Sequence, residues 1–333
     1  MIYDIEELYR IVNDSEPGEP KMRALRIACS EAENNNDIIN AVRFHYKLMY
    51  ESVFSGDRYQ ALIDFPQYLA LLEKDEMIKD QYFSRTMLVF RWILEAANEF
   101  YQISKQQILK WFGAYQDECL THGCSLRSYW QKKAIFDSRI SRAKLKLDYI
   151  NSLECPEDDY TDGDLFALDD IVMWELEFGN YEKAMKAARE IFRSKRREIE
   201  IPAKTYMNLL KYYMKTEDNE NADRTAALLK PFCIGERFQL EPTGIMFEYY
   251  SKRNIKEGIE FYNRQAVLRE GLKNPYLCFW FDRGTAMLFY EAGKTENDEY
   301  IKIADAAAEK CMQTAHKFDE RNESSWFMDK CCF

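Results

Sequence analysis

The fifteen residues FGNYEKAMKAAREIF, Phe178–Phe192, hold a helix end, a turn and a helix start. Gly179 closes one helix, and in the next Ala184, Ala188 and Ile191 fall on one face at i, i+4 and i+7. The register returns thirty-eight residues later, with Thr216–Asn219 as the turn and Ala222, Ala226 and Leu229 as the face. Thirty-six residues further on, Arg253 and Asn254 make the turn and Gly258 and Tyr262 follow; Gly293 lies three times thirty-eight residues after Gly179. Alanine or glycine at these places lets paired helix axes meet closely. A two-helix unit buries its apolar face only by stacking on further units. The pattern predicts an all-α chain of antiparallel helix pairs.

The rest of the chain agrees in class. Only 12 glycines and 8 prolines occur in 333 residues, too few turn-formers for an all-β or α/β protein. Apolar spacing predicts helices at 20–33, 37–54, 58–74, 80–100, 105–121, 126–152, 165–178, 181–197, 203–216, 219–231, 242–253, 255–271, 275–292 and 297–318. The acidic stretch ECPEDDYTDGD, 154–164, with six acidic residues, a proline and a glycine, is the clearest break. It divides an irregular N-terminal helical region, 1–153, from a repeat region, 165–333. The opening MIYDIEELYRIVND lacks the basic and apolar segments of a secretory leader, and no window reaches the roughly 18 apolar residues of a membrane span. Nine scattered cysteines do not form a disulfide framework and point to a reducing, cytoplasmic setting.

Ala203–Ile234 is the fullest unit of the repeat. Its Tyr206, Leu209, Leu210, Tyr213, Ala222, Ala226 and Leu229 follow the order of large, small, aromatic and apolar positions that marks the tetratricopeptide repeat, and the second half of the chain resembles that family. Leu210 stands where the family has a small residue, Glu175 stands where an aromatic is expected with Trp174 beside it, and the period is nearer thirty-eight than thirty-four. The resemblance implies a right-handed α-solenoid in which the first helix of each pair lines a concave groove. That arrangement points Met173, Lys204, Met207, Lys211, Met214, Phe247, Tyr250, Arg283, Met287 and Tyr290 toward the groove. Methionine adapts to varied apolar shapes, aromatic rings give rigid contact area, and Lys or Arg pairs with carboxylates.

Signatures of catalysis are missing from the sequence. It holds no Gly-rich phosphate loop, HExxH, GxSxG or paired CxxC, and its three histidines, His45, His122 and His316, are far apart. No enzyme, cofactor or metal is expected. CLTHGC, 119–124, offers Cys119, His122 and Cys124 without an evident fourth ligand, and a helix C-cap at Gly123 explains it better than zinc. The tail DKCCF reads as a terminus carrying two adjacent thiols.

The stretch 126–146 is basic, with Arg139, Arg142, Lys144 and Lys146 near its end, and Arg193, Arg196 and Arg197 add a second basic run. Together they form a candidate anion patch, whose alternative is a solvated helix face partly neutralised by the 154–164 loop. A net charge of −11 disfavours nucleic acid as a partner. The expected role is a non-enzymatic adaptor or regulator that captures a peptide or a partner segment in its groove. A narrower form is an intracellular signalling-peptide sensor resembling, in layout, the bacterial tetratricopeptide regulators. The alternatives are an anionic-ligand or nucleic-acid binder working through the basic helix 126–146, and a structural subunit of a larger assembly, with pairing through the C-terminal helices, as in a homodimer, one form of it.

Overall fold

The computed structural model describes residues 4–196, 198, 200–235, 240–294 and 298–333, and among them every regular element is helical. The helices are α1 (Ile5–Asp14), α2 (Glu19–Asn34), α3 (Ile38–Ser55), α4 (Arg58–Leu72), α5 (Glu76–Ala97), α6 (Lys105–Thr121), α7 (Arg127–Asp137) and α8 (Arg142–Glu154). They continue as α9 (Asp164–Phe178), α10 (Tyr181–Arg193), α11 (Ala203–Lys215), α12 (Asn219–Leu229), α13 (Leu240–Arg253), α14 (Ile255–Arg269), α15 (Pro275–Gly293) and α16 (Asp298–Asn322). Short 3-10 turns lie at Lys230–Cys233 and Met328–Lys330. No helix among the described residues is long and apolar enough to cross a membrane.

Helix starts carry the side chains that the exposed first-turn amides require. Asp4, Asp37, Asp75, Ser104, Asp218, Asn254 and Asn274 each accept hydrogen bonds from backbone amides two or three residues on. The Asp4 cap begins α1, which precedes the first helix expected from periodicity. The helix expected over 126–152 is instead two. After α7 the amides of Ile140 and Ser141 return to the Asp137 carbonyl, and Ser141 then accepts from Leu145 at the start of α8. Apolar spacing runs on through this turn, so periodicity alone does not reveal it.

The chain forms two compact units. The first runs to Ile135 and includes Asn151–Tyr160; the second is Phe136–Ile150 with Thr161–Phe333. Segment 136–150, expected with the N-terminal region, therefore belongs with the second unit. Residues 155–160 of the acidic stretch fold back within the first unit: Asp158 accepts from the Ser125 amide at 2.7 Å, Glu157 pairs with Arg127 at 3.0 Å, and the Tyr160 carbonyl accepts from Arg91 at 3.0 Å.

In the first unit, α2 packs on α3, α3 on α4 and α5, and α5 on α6, around fully buried Phe44, Phe65, Tyr68, Tyr82, Phe90, Phe112 and Tyr115. Aromatic side chains bury about 150–250 Å² each and so dominate such a core. The Tyr68 and Thr86 hydroxyls satisfy one another at 2.8 Å inside it.

In the second unit, α9 packs on α10, α11 on α12, α13 on α14 and α15 on α16. In addition α9 packs on α11, α11 on α13 and α13 on α15. At the crossing of α13 and α15 backbone meets backbone. A Cβ at Gly244 would lie 2.1 Å from the Trp280 carbonyl oxygen, and one at Gly284 would lie 2.1 Å from the Gly244 carbonyl oxygen. Only residues without a side chain permit this backbone approach.

Candidate functional site

Lys211 on α11 and Arg283 on α15 come to the same indole. Lys211 Nζ lies 4.5 Å from the centre of the buried Trp280 ring, and Arg283 Cζ lies 5.6 Å from it. Cations over an aromatic face are attracted by its quadrupole, more strongly where water is excluded. Each also has a carboxylate: Lys211 Nζ donates to Glu241 Oε1 at 2.9 Å and Arg283 Nη1 to Glu248 Oε2 at 2.6 Å. Burial pushes the Glu248 carboxyl up, but Arg283, Lys252 and Lys211 outweigh it and leave the group below the usual carboxylate range.

Arg283 reaches further, because its Nε donates to the Lys330 carbonyl at 2.7 Å. The C-terminal segment is thus held beside α15, and Lys330 brings a third cation. Its ammonium stands 4.1 Å from the centre of the Trp326 ring, with no carboxylate within ion-pair distance among the described residues. Burial, followed by the charges of Lys211 and Arg283, holds this ammonium below the usual lysine range, with Glu177 and Asp329 opposing. Three cations, two paired carboxylates and two indoles therefore meet at one place on the second unit. A carboxylate entering there would relieve the repulsion on Lys330 and meet donors in a partly desolvated setting, where charge-assisted hydrogen bonds are strongest.

The other residues expected in a groove are distributed differently. Phe247, Tyr250 and Met207 are interior residues: Phe247 is fully buried against Phe261 and Phe281, and the Tyr250 hydroxyl donates to Glu257. Helical spacing had placed them on the same stripe as Lys211, but the neighbouring helix covers that part of the stripe. Met173, Met214 and Met287 are half-buried, and Lys204 pairs with Glu200. Tyr290 donates to Asp305 at 2.8 Å, and its ring lies 6.1 Å from that of Phe333.

The basic run does not form one exposed patch. Arg139 is buried, its guanidinium 4.2 Å from the centre of the Tyr276 ring, because stacking offsets its lost hydration. Arg142, Lys144, Lys146 and Arg193 are exposed, with Arg142 donating to the Glu177 carbonyl; Arg196 pairs with Asp164 at 3.4 Å. Arg197 lies outside the described residues. Lys132, also in the basic stretch, is buried in the first unit and pairs with Glu95 at 3.0 Å.

CLTHGC closes α6. Gly123 adopts φ +65°, and the Cys124 amide donates to the Cys119 carbonyl at 2.8 Å, the six-to-one bond of a Schellman cap. His122 stacks on Phe83 at 3.9 Å. No group of three or more His, Cys, Asp or Glu residues among the described residues is placed to hold a metal ion.

Sequence reasoning missed Trp280, Trp326, Glu241, Glu248 and Lys330. The spacing of Trp326 and Lys330, four residues apart, was a signal, hidden because the tail reads as an end rather than a structured segment. It also missed an aromatic surface in the first unit. Tyr46, Tyr50 and Phe54, one turn apart on α3, surround Trp92 of α5 at 6.3, 5.8 and 5.5 Å, and Tyr50 and Phe54 are exposed. Comparison of the chain with protein-family models and with curated proteins finds no match in either.

Proposed function

We propose that the chain is a non-enzymatic adaptor or regulator whose second unit is a tetratricopeptide-like, right-handed solenoid that binds an acidic segment of another protein. The packing of α9, α11, α13 and α15 on one another, each with its own hairpin partner, supports that reading, since a groove lined by the first helix of every pair needs such a layer. The observation that carries the functional reading is the unneutralised Lys330 ammonium beside Lys211, Arg283 and two indoles. The preferred ligand is a carboxylate, from Asp, Glu or a chain end, with apolar residues next to it to meet the rings. A short signalling peptide is the narrower form of the same proposal. The nine thiols, none of them bonded to another, fit a protein that works in the cytoplasm.

A display library of short peptides, panned against the intact chain and against a Lys211→Gln, Lys330→Gln double variant, tests this reading. Arg283 is kept, because removing it would strand Glu248 as a buried charge without its principal partner. Circular dichroism first establishes that both proteins are equally helical. Enrichment of acidic-apolar peptides by the intact chain, lost in the double variant, is the expected result. Equal enrichment by both proteins, or of basic peptides, would end the proposal.

A further inference from the structure

Near the cationic site, two thiols twenty residues apart in sequence come together. Cys311 Sγ on α16 lies 3.6 Å from Cys331 Sγ in the segment that follows the turn Met328–Lys330. A disulfide bond is about 2.05 Å long, so closure needs a movement of roughly 1.5 Å. The movement falls on Cys331, which lies outside any helix beyond the turn Met328–Lys330, whereas Cys311 is fixed in α16 with no exposed surface. The segment itself is well anchored just upstream. Phe327 is fully buried and stacks on Phe318 at 4.4 Å, Asp319 accepts from the amides of Phe327 and Met328, and Arg283 holds the Lys330 carbonyl.

We propose that Cys311 and Cys331 are a reversible oxidation site, taking a hydroperoxide as oxidant and closing a disulfide that fastens the C-terminal segment to α16. The two thiols have different parts. Cys331 is partly exposed and can meet a small oxidant; Cys311 is fully buried and reacts only through its neighbour. The surroundings favour the same order: a hydrogen bond from Cys311, and then the Arg283 guanidinium, hold the Cys331 thiol below the ordinary thiol range against burial and Asp319.

In the first step the Cys331 thiolate attacks the terminal peroxide oxygen. The S–O bond forms, the O–O bond breaks, and the leaving oxygen takes a proton and departs as water or alcohol. Sulfur is oxidised by two electrons and the peroxide is reduced by two. In the second step Cys311 sulfur attacks Cys331 sulfur, the S–S bond forms and the S–O bond breaks. Hydroxide leaves with the Cys311 proton as water. An external dithiol restores both thiols by exchange. Adjacent Cys332 is exposed, and its Sγ is turned to the Asp329 carbonyl instead, at 3.7 Å.

The test uses the full, reduced chain treated with hydrogen peroxide, followed by alkylation of the remaining thiols, tryptic digestion and mass spectrometry without reductant. The expected product joins CMQTAHK, 311–317, to CCF, 331–333, and disappears on adding dithiothreitol. Cys332→Ser should keep this product and Cys331→Ser should reduce it by at least about tenfold, as expected when only one of two adjacent thiols is in reach. Cys331→Ser lies in the terminal segment and leaves the helix core untouched, so the outcome does not depend on a Cys311 variant folding. A product that survives Cys331→Ser, a bond between Cys331 and Cys332, or Cys331 carried to sulfinic acid with Cys311 still reduced would overturn the proposal. The peptide chemistry is read independently of any ligand, so it stands or falls separately from the adaptor reading.

Discussion

Asp169 is a buried carboxyl that accepts a hydrogen bond from Thr205, Oγ1 to Oδ1 at 2.6 Å, joining α9 to α11. Burial raises its pKa from 3.8 to about 6, while the Thr205 bond and Lys204 act the other way. The folded state therefore holds this proton over a window in which the unfolded chain has lost it. Stability from the group is fully present below 3.8 and is lost as pH rises to about 6. Asp169→Asn keeps an oxygen to accept from Thr205 and removes the charge. It should raise the urea midpoint near neutral pH, by a free energy of up to about 3 kcal/mol, with the gain fading toward pH ~4. An equal gain at both pH values would show that charge burial is not the cause. At this scale the sequence revealed chemistry better than exposure. Lys211 and Arg283 were legible because a cation on a helix stripe must find an anion, a ring or water. Phe247 and Tyr250 were misplaced because spacing tells which residues share a face and not how far the neighbouring helix covers it.

The crossing of α13 and α15 is set by two glycines that came from no repeat position. The repeat register pointed to Gly258 and Gly293, whereas backbone meets backbone at Gly244 and Gly284. A Cβ at Gly293 meets the flexible end of Ile301, and one at Gly284 meets the main chain of Gly244, which has no rotamer with which to yield. Gly284→Ala should therefore cost at least the roughly 1–3 kcal/mol of an overpacked core, and Gly293→Ala clearly less. Urea denaturation of the two variants compares them directly; a larger loss at Gly293 would contradict the crossing described. The C-terminal segment is the other element that periodicity could not supply. Its order comes from Phe327 filling a place between Phe279 and Phe318, a long-range fit without local pattern. Phe327→Ala removes a fully buried ring, a change worth about 3–5 kcal/mol. The expected result is fast amide hydrogen exchange at 328–333, with the α-helices retaining their protection. Unchanged exchange there would mean that the polar contacts from Asp319 and Arg283 hold the segment without the ring.

For the molecule as a whole, charge decides between an acidic ligand and a polyanion. The net charge is −11, and the basic stretch loses much of its reach on folding: Arg139 stacks inside the second unit and Lys132 pairs inside the first. Arg142, Lys144 and Lys146 stay exposed. Each phosphate contact contributes about −0.9 to the slope of log affinity against log salt, so three cations give a slope of only about −3. Such a set cannot overcome the repulsion of the whole chain at ~0.15 M salt. The intact protein should pass through a heparin column at that ionic strength. A peptide whose single carboxylate enters the Lys211–Arg283–Lys330 cluster should instead bind with a salt slope near −1, because one charge pair is formed and the aromatic contacts are indifferent to salt. Retention on heparin at that ionic strength with a slope of about −3 or steeper, abolished by Arg142→Gln, Lys144→Gln and Lys146→Gln together, would favour the basic helix over the groove. Retention unaffected by those three changes would place the polyanion elsewhere and leave the cationic cluster to be judged by its peptides alone.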